Sequence, residues 1–281
     1  MADDTIVNMF WHGPRLPPLA WACMCSFIER GHHLRVFSYE PLVIPSGAIA
    51  ADARDVVPYP AALQNHAAIA GFSDLFRYSL LRKYGGWWAD TDVFCLTNKL
   101  PPEPYAWAEQ EPGVVNGAIL KFPRGDRICG QLLKTAERKT RKGFSWGVIG
   151  PDLLTSHVSK RTDLLRSGTT ATFYPWNWRE AFLIWYPQTK QQVIQKARDA
   201  LFLHFWDFAL RNMGMDAFRD PPPGSFWADI IAGAPHRLAG DAEYFRATDV
   251  TIRGFCEKHW PAQRWEAYLQ NNPELFSGLA A

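Results

Sequence analysis

The sequence predicts an α/β fold in which an open sheet is covered by helices. Residues 5–11 read as a strand, residues 18–30 as a helix closed by Gly31, and residues 33–39 as a second strand, which gives a β-α-β opening. Predicted strands and helices alternate along the rest of the chain, as expected when helices cover a sheet. Because 47% of the 281 residues are hydrophobic, the chain can also bury a full core.

Apolar periodicity and turn residues predict the later elements. A long helix over residues 61–84 ends at the Gly85-Gly86 turn, and one buried strand is expected over residues 87–96. Further strands are predicted at residues 105–109, 114–122 and 201–206, and further helices at residues 126–139, 151–160 and 191–198. No internal repeat interrupts this pattern.

A proline-rich stretch predicts a boundary near the C-terminus. Asp220 is followed by three prolines and Gly224, and the chain beyond them reads as helical. We therefore expect residues 1–219 to form the main domain. Residues 220–281 are expected to form a helical annex packed on that domain.

Charge and cysteine content exclude several classes of protein. Thirty Lys and Arg residues against 28 Asp and Glu residues give a net charge of +2, too small for a nucleic-acid groove built on many phosphate contacts. Five cysteines without metal-ligand spacing indicate reduced thiols. Acids at the N-terminus and the lack of a long apolar run predict a cytoplasmic protein without a membrane span.

A basic cluster near the end of the helix predicted at residues 126–139 leaves two interpretations open. Its members are Lys134, Arg138, Lys139, Arg141 and Lys142. A solvated helix end that complements the helix dipole is the favoured interpretation. Peripheral contact with anionic headgroups at the inner face of a membrane is the alternative.

Four charged residues lie close together around the Gly85-Gly86 turn. Asp74 and Arg77 are three apart on a helix that is apolar almost all round, and charges in such a setting need partners. Asp90 and Asp92 are two apart on the predicted strand, so their side chains share a face. Two buried carboxylates that point one way indicate a divalent cation. An ordinary helix ion pair and a solvated D-x-D turn are the structural alternatives.

The segment SDLFRYSLLRKYGGWWADTD, residues 73–92, resembles the SD-x-x-R-x-x-x-L-x-x-x-GG-x-Y-x-D-x-D segment of the DxD sugar transferases. This family includes the catalytic domains of glucosylating toxins, bacterial capsule and lipopolysaccharide transferases, and α-1,4-galactosyltransferases. The resemblance implies a GT-A fold, which is a Rossmann-like open mixed sheet. It also implies a UDP-sugar donor, Mn2+ or Mg2+, and transfer with retention of configuration.

The same resemblance implies a role for each matching residue. Asp74 and Arg77 would contact the donor sugar or phosphate, Asp90 would contact the ribose and sugar or the metal through water, and Asp92 would ligate the metal directly. On this basis residues 1–219 would be the nucleotide-sugar-binding catalytic domain. The acceptor is left open among glycan, lipid-linked and protein hydroxyls.

Shorter fragments match the family in the same order along the chain. Trp11, in Phe-Trp-His-Gly, would pack on the nucleotide base, and Asn116 would bring an amide near the reacting carbon. His204, in Leu-His-Phe-Trp, would reach the metal or the diphosphate. Each has a structural alternative: a core aromatic for Trp11, a turn former for Asn116 and a core histidine for His204. Gly150 and Pro151 resemble the start of the family's GP-x-x-x-T helix.

Three sets of site residues follow from the resemblance. The catalytic set is Asp74, Arg77 and Asn116. The donor-binding set is Trp11, Asp74, Arg77, Trp88 and Asp90. The metal-binding set is Asp90, Asp92 and His204. Trp88 departs from the family, which usually has Tyr there, so it offers only an indole N–H and a stacking face.

Acceptor recognition and the rival functions complete the sequence-based picture. The C-terminal tail and the aromatic residues at 173–178 with Trp185 and Tyr186 are candidates for acceptor binding, although a core role is favoured for these aromatics. A glycoside hydrolase and a non-catalytic nucleotide-sugar-binding module are the main alternatives. A Cys or Ser nucleophile is disfavoured, since no G-x-S-x-G motif occurs.

Overall fold

The computed structural model describes residues 5–59, 66–141 and 149–276. Within these ranges the strands are β1 Val7–Phe10, β2 Leu34–Ser38, β3 Ile49–Asp52, β4 Gly86–Ala89, β5 Val93–Cys95, β6 Tyr105–Glu111, β7 Val114–Phe122, β8 Arg166–Ser167 and β9 Phe202–His204. The helices are α1 Pro18–Glu29, α2 His66–Tyr84, α3 Arg127–Lys139, α4 Pro151–Val158, α5 Thr170–Phe173, α6 Lys190–Lys196, α7 Asp207–Asn212, α8 Phe226–Ile230, α9 Ala242–His259 and α10 Ala262–Asn271. Short 3-10 segments lie at Ala53–Asp55, Trp178–Ile184 and Pro187–Thr189.

Seven of these strands form one mixed sheet in the order β3-β2-β1-β4-β7-β6-β8. Strands β3, β2, β1 and β4 run parallel, β7 is antiparallel to both β4 and β6, and β8 is parallel to β6. Strands β5 and β9 form a separate antiparallel pair. The parallel half is Rossmann-like and the whole is GT-A-like, which confirms the fold class predicted from the sequence.

Helices cover both faces of the sheet. Successive residues of a strand point to opposite faces, so each face presents side chains to its own layer of helices. In β4, Trp87 joins a core that includes Cys23 and Phe27 of α1. Its neighbour Trp88 joins a second core that includes Phe76 of α2. All these side chains are almost fully buried. The tryptophan pair therefore belongs to both layers of the fold.

The turn between α2 and β4 requires glycine. Gly85 has φ +70°, a left-handed conformation that side chains with a Cβ adopt at a cost. A Cβ at Gly85 would also lie 2.5 Å from the backbone nitrogen of Arg124. The double-glycine turn predicted from the sequence thus ends α2 and starts the strand that leads to the site.

Several predicted elements need correction. The single strand over residues 87–96 was wrong: it is two strands, β4 and β5, separated by a turn, because β5 leaves the main sheet to pair with β9. Strands β3 and β8 were not predicted; β3 is largely exposed and β8 has two residues, so neither shows buried periodicity. Part of the predicted helix, residues 61–65, lies outside the described residues.

The C-terminal helices share a hydrophobic core with the main sheet. Trp227 packs near Trp185, with ring centroids 6.0 Å apart, and Trp260 and Trp265 pack near Phe182 at 6.1 and 6.0 Å. The same core includes Val7 of β1. The C-terminal helices thus pack on this core, and the division into a main domain and a helical annex at residue 220 stays a prediction.

Three features that the sequence analysis singled out are the chain's apolar runs, its cysteines and its basic cluster. Among the helices in the described ranges, none combines the length and apolar character that a membrane span requires. All five cysteines are free thiols. In the basic cluster, Lys134 lies in the middle of α3, Arg138 and Lys139 lie in its last turn, Arg141 lies beyond it, and Lys142 lies outside the described residues. Membrane contact through this cluster stays a prediction.

Candidate active site

The turn between β4 and β5 presents Asp90 and Asp92. The Asp90 N–H donates to the Ala118 carbonyl at 2.8 Å, and the Val93 N–H donates back to the Asp90 carbonyl at 3.0 Å. The sequence-based prediction that the two carboxylates share one strand face was therefore wrong. They converge because the chain turns between two strands.

Asp92 is fixed by the strand–helix junction at residues 204–207. Its Oδ2 accepts the Asp207 N–H at 2.8 Å and lies 3.3 Å from His204 Nε2. Between these two partners, Trp206 adopts left-handed dihedrals of φ 61° and ψ 51°, which are uncommon outside glycine. The turn at Trp206 aims the first N–H of α7 at the carboxylate, and strain of this kind is often kept where function needs it.

The surroundings of Asp92 favour its ionised form. Burial alone would raise the pKa of the Asp92 carboxyl, but His204 and the hydrogen bonds outweigh burial and hold the pKa below its usual value. For Asp90, burial prevails over the opposing effect of Arg77 and raises the pKa. The two carboxylates thus differ in their electrostatic setting although they lie side by side.

His204 completes a cluster of three possible metal ligands. It lies on β9, where it pairs with Val93 of β5, and its ring packs 4.0 Å from the Trp206 ring. One ligand atom each from Asp90, Asp92 and His204 lies within 4.8 Å of the others. The His204 Nδ1 is buried and has no hydrogen-bond partner in the described part of the chain. The structure therefore brings the predicted metal set together.

Arg77 links the cluster to α2. Its side chain is only 7% exposed, and its Nη2 lies 3.0 Å from Asp90 Oδ1 and 3.4 Å from Asp74 Oδ1. Burial, reinforced by Asp90 and opposed by Arg77, raises the pKa of Asp74 to about 6. The pKa of Arg77 is raised in turn, since the two carboxylates outweigh burial. A guanidinium that stays charged thus lies between two acids.

Two glycines leave room for this ion-pair chain. A Cβ at Gly117 would overlap the Arg77 guanidinium. A Cβ at Gly150 would lie 2.8 Å from Asp74 Oδ2. Gly117, which follows Asn116, and Gly150 of the Gly-Pro fragment therefore have a steric role beside the charged residues. That role was not predicted, because it depends on contacts between segments far apart in the chain.

The remaining predicted residues occupy different positions. Trp88 is 1% exposed and donates its Nε1–H to Asp90 Oδ1 at 2.7 Å, so it lies behind Asp90 and does not line the cavity. Asn116 lines the cavity, and its amide bonds Gln110 and the Ala118 N–H, both at 2.6 Å. Trp11 also lines the cavity.

Apart from Trp88, all predicted site residues line one cavity of about 920 Å³. The cavity continues past the charged cluster to side chains that sequence reasoning did not assign to a site. These include Gln110, Trp178, Asp207, Arg211, Phe255 and His259. No spacing pattern marks them, since they come from four separate elements.

Comparison with known proteins relates the chain to sugar transferases. Residues 62–105 match the family described as "Capsular polysaccharide synthesis protein". The chain is 28% identical over 157 residues to lactosylceramide 4-alpha-galactosyltransferase of Rattus norvegicus, and 31% identical over 160 residues to the Mus musculus protein. Each alignment covers 52% of this chain and 43% of the relative. The chain thus spans less than half the length of the curated relatives it matches.

Among solved structures, the chain is similar to a protein titled "PaToxG Glycosyltransferase". The identity is 12%, the TM-score is 0.43, and the superposition covers 90% of this chain and 86% of the other. A likeness of this size carries no argument about fold or function. The fold assignment rests on the strand order, and the site rests on its own residues.

Proposed function

We propose that this chain is a metal-dependent glycosyltransferase that moves a sugar from a UDP-sugar to a hydroxyl of a glycan, lipid or protein, with retention of configuration. One observation carries the proposal: Asp90, Asp92 and His204 lie together beside the buried Arg77 in a single large cavity. The similarity to capsule-synthesis proteins and to two galactosyltransferases supports it. Retention of configuration rests on the resemblance of residues 73–92 to the DxD transferases.

The three side chains of the predicted metal-binding set fit a divalent cation. Two carboxylates suit Mg2+ or Mn2+, and an imidazole beside them suits Mn2+. Asp92, Asp90 and His204 would hold the ion. When bound, such an ion offsets the negative charge of a diphosphate leaving group.

The positive charge of Arg77, which lies beside the cluster, suits the same leaving group. The Arg77 guanidinium is buried, is held by two carboxylates, and lines the cavity. A fixed cation in a site of low dielectric stabilises charge that develops on a departing phosphate more strongly than it would in water. Asp74 orients Arg77 and offers an oxygen that can accept a sugar hydroxyl. Trp11 offers an aromatic face to the nucleotide base.

In the transfer step, the acceptor oxygen replaces the diphosphate oxygen on the anomeric carbon of the donor sugar. The bond between the anomeric carbon and the diphosphate oxygen breaks, and the acceptor oxygen forms a new bond to that carbon on the same face. The acceptor proton passes to the departing phosphate oxygen. Arg77 stabilises the charge on that oxygen, and the walls of the cavity keep water from competing with the acceptor.

Two rival functions explain less of the geometry. A glycoside hydrolase needs two carboxyl groups on opposite sides of a scissile bond, with one free to donate a proton. Here Asp90 is held by Arg77 and Trp88, and Asp92 is held by His204 and the Asp207 N–H. A module that only binds nucleotide-sugars would need no cavity beyond the donor, whereas this cavity extends to Trp178 and His259.

A donor panel tests the proposal. Hydrolysis of UDP- and GDP-sugars is followed with Mn2+, with and without chelator, for the wild type and for Asp92→Ala. Asp163→Ala is a matched control, because that carboxylate pairs with Arg161 at the surface. We expect chelator-sensitive turnover of a UDP-sugar that Asp92→Ala loses and the control keeps. Turnover that chelation does not affect, or that Asp92→Ala retains, would contradict the proposal.

A further inference from the structure

We propose that Trp178, Phe255 and His259 form the acceptor subsite of the cavity, and that this subsite takes the terminal ring of a neutral pyranoside. We call these three residues the aromatic corner. The inference rests on the proposed function, since it assigns the second substrate of the same cavity. It adds the chemical class of that substrate and the residues that bind it.

Two rings of the aromatic corner stand edge-on to the Trp178 indole and are tilted by 44° to each other. Phe255 and His259 meet the Trp178 indole at interplanar angles of 84° and 74°, with centroids 5.9 and 5.2 Å away. All three are partly exposed and line the cavity. A pyranose ring has an apolar face of C–H groups that packs on an aromatic ring, and hydroxyls at its edge that need polar partners. An indole beside an imidazole offers both.

Trp178 is distinct from its aromatic neighbours. Of the aromatic residues at 173–178 with Trp185 and Tyr186, Trp178 is the one that lines the cavity. The others are buried and serve the core: Phe173, Tyr174, Trp176, Trp185 and Tyr186. Burying Trp178 as well would have removed more apolar surface from water, so its partial exposure in a cavity points to a ligand.

Arg179 holds the indole in place. Its guanidinium carbon lies 4.1 Å from the Trp178 ring centroid, its Nε donates to the His259 carbonyl at 3.1 Å, and its Nη1 lies 3.0 Å from Glu111 Oε2. A cation stacked on one face fixes the plane of the ring. These contacts connect β6, the 3-10 segment and α9, so a pre-positioned platform is available without ordering on binding.

Two arginines that line or support the aromatic corner are already paired with acids, which favours a neutral ligand. Arg179 pairs with Glu111, and Arg211 Nε lies 2.6 Å from Asp207 Oδ2. Burial, together with the nearby Lys258 and Arg179, lowers the pKa of His259, so its imidazole is mainly neutral at pH 7. A neutral imidazole can donate to and accept from hydroxyls. An anionic or cationic acceptor would compete with the existing pairs.

Helix α7 connects the aromatic corner with the charged cluster. Its first N–H bonds Asp92, and the helix packs against the 3-10 segment that begins at Trp178. Residues along α7, including Asp207, Arg211 and Asn212, line the cavity. Six helical residues span about 9 Å at ~1.5 Å per residue. An acceptor ring on Trp178 would therefore lie in the same cavity as the donor and separate from its diphosphate.

Two measurements test the subsite. Saturation-transfer NMR detects binding of methyl α- and β-pyranosides of glucose and galactose without any donor, and kinetics measure KM for the same pyranosides as acceptors. We expect Trp178→Ala to weaken pyranoside affinity about tenfold more than it weakens affinity for UDP, and Trp178→Phe to keep most of the affinity. Phe255→Ala should act in the same direction. Val250→Ala, an exposed position on the same helix, is the matched control and should change neither affinity.

The outcomes separate this inference from the proposed function. If the wild type turns over a UDP-sugar but neither binds nor glycosylates any pyranoside, the transferase stands and the acceptor subsite is wrong. An equal loss of UDP and pyranoside affinity in Trp178→Ala would also overturn it, since Trp178 would then support the whole cavity. Pyranoside binding that depends on Trp178 without any donor turnover would support the subsite and contradict the transferase.

Discussion

The charged end and the aromatic end of the cavity are assembled from different parts of the chain. Asp74, Arg77, Asp90 and Asp92 all fall within residues 73–92, so most of the charged end comes from one helix and the turn that follows β4. Trp178, Phe255 and His259 come from a 3-10 segment and a C-terminal helix. Local sequence can therefore predict the residues at one end of a cavity, whereas those at the other end are found only from the three-dimensional structure.

The two ends also differ in how strongly their contacts depend on one another. Arg77 and Asp74 are buried and the Asp90 side chain is only 24% exposed, so removing one member leaves an uncompensated charge in a site of low dielectric. The Arg179–Glu111 pair beside Trp178 is about one-third exposed on each side. Solvent screens that pair and makes its contribution small. Changes at the charged end should therefore affect turnover, and changes at the aromatic end should affect acceptor affinity.

The largest effect is expected for Asp92→Asn. The amide keeps an oxygen for the Asp207 N–H but loses the charge that a divalent cation needs. We expect kcat for donor turnover with Mn2+ to fall ~10²- to 10³-fold, while circular dichroism shows an intact fold. Asp163→Asn, at the surface, should retain wild-type kcat. Wild-type turnover in Asp92→Asn would contradict a role for Asp92 in binding the cation.

Arg77→Lys is expected to have the next largest effect. An ammonium keeps the charge but loses the planar fork that contacts Asp74 and Asp90 together. Turnover should fall about 10- to 100-fold, and the free energy of unfolding should drop by about 1–3 kcal/mol as hydrogen bonds to buried charges are lost. Kinetics and denaturant unfolding provide the two readings. Arg54→Lys, where the pair with Asp52 is half exposed, is the control and should change neither.

Gly117→Ala tests whether space for Arg77 matters. The added methyl would overlap the guanidinium, so Arg77 must shift from Asp90. A displacement of this size should lower kcat about tenfold with a smaller effect on acceptor KM. Gly254→Ala, on α9 with no atom near the added Cβ, is the control and should keep activity while stabilising the fold by up to about 1 kcal/mol. Equal activity in the two variants would show that the close approach at Gly117 has no role.

The smallest effect is expected for Glu111→Gln at the aromatic end. Arg179 loses a charged partner but keeps its contacts with Trp178 and the His259 carbonyl. Acceptor KM should rise about two- to fivefold, because an exposed ion pair contributes up to ~1 kcal/mol. Steady-state kinetics at saturating donor measure the change. A fall in kcat as large as that of Arg77→Lys would erase the contrast between the two ends.

Local sequence predicted much of the fold and most of the charged end. The β-α-β opening, β7 and α3 follow from apolar periodicity and turn residues that act over short distances. The strand over residues 87–96 was predicted without its break because nothing in Trp-Ala-Asp-Thr-Asp-Val reveals that β5 pairs with β9. Asp90 and Asp92 were therefore assigned to one strand face, although they converge through a turn.

Contacts between distant segments account for what the sequence could not supply. Asp207 reaches Asp92 only because Trp206 adopts a left-handed conformation, which no residue preference for tryptophan would predict. Trp88 was grouped with the donor-binding residues, yet its indole lies behind Asp90 in a packed core. The exposure of Trp178 depends on where α9 packs, which periodicity does not encode.

The most direct test of the central claim is the affinity for UDP, measured by isothermal titration calorimetry with Mn2+ and again after chelation. If Asp90, Asp92 and His204 would hold a cation that offsets the charge of the diphosphate, removal of Mn2+ should weaken UDP binding by at least ~100-fold. Asp92→Asn should show the weak affinity under both conditions. Equal UDP affinity with and without Mn2+ in the wild type would contradict the account.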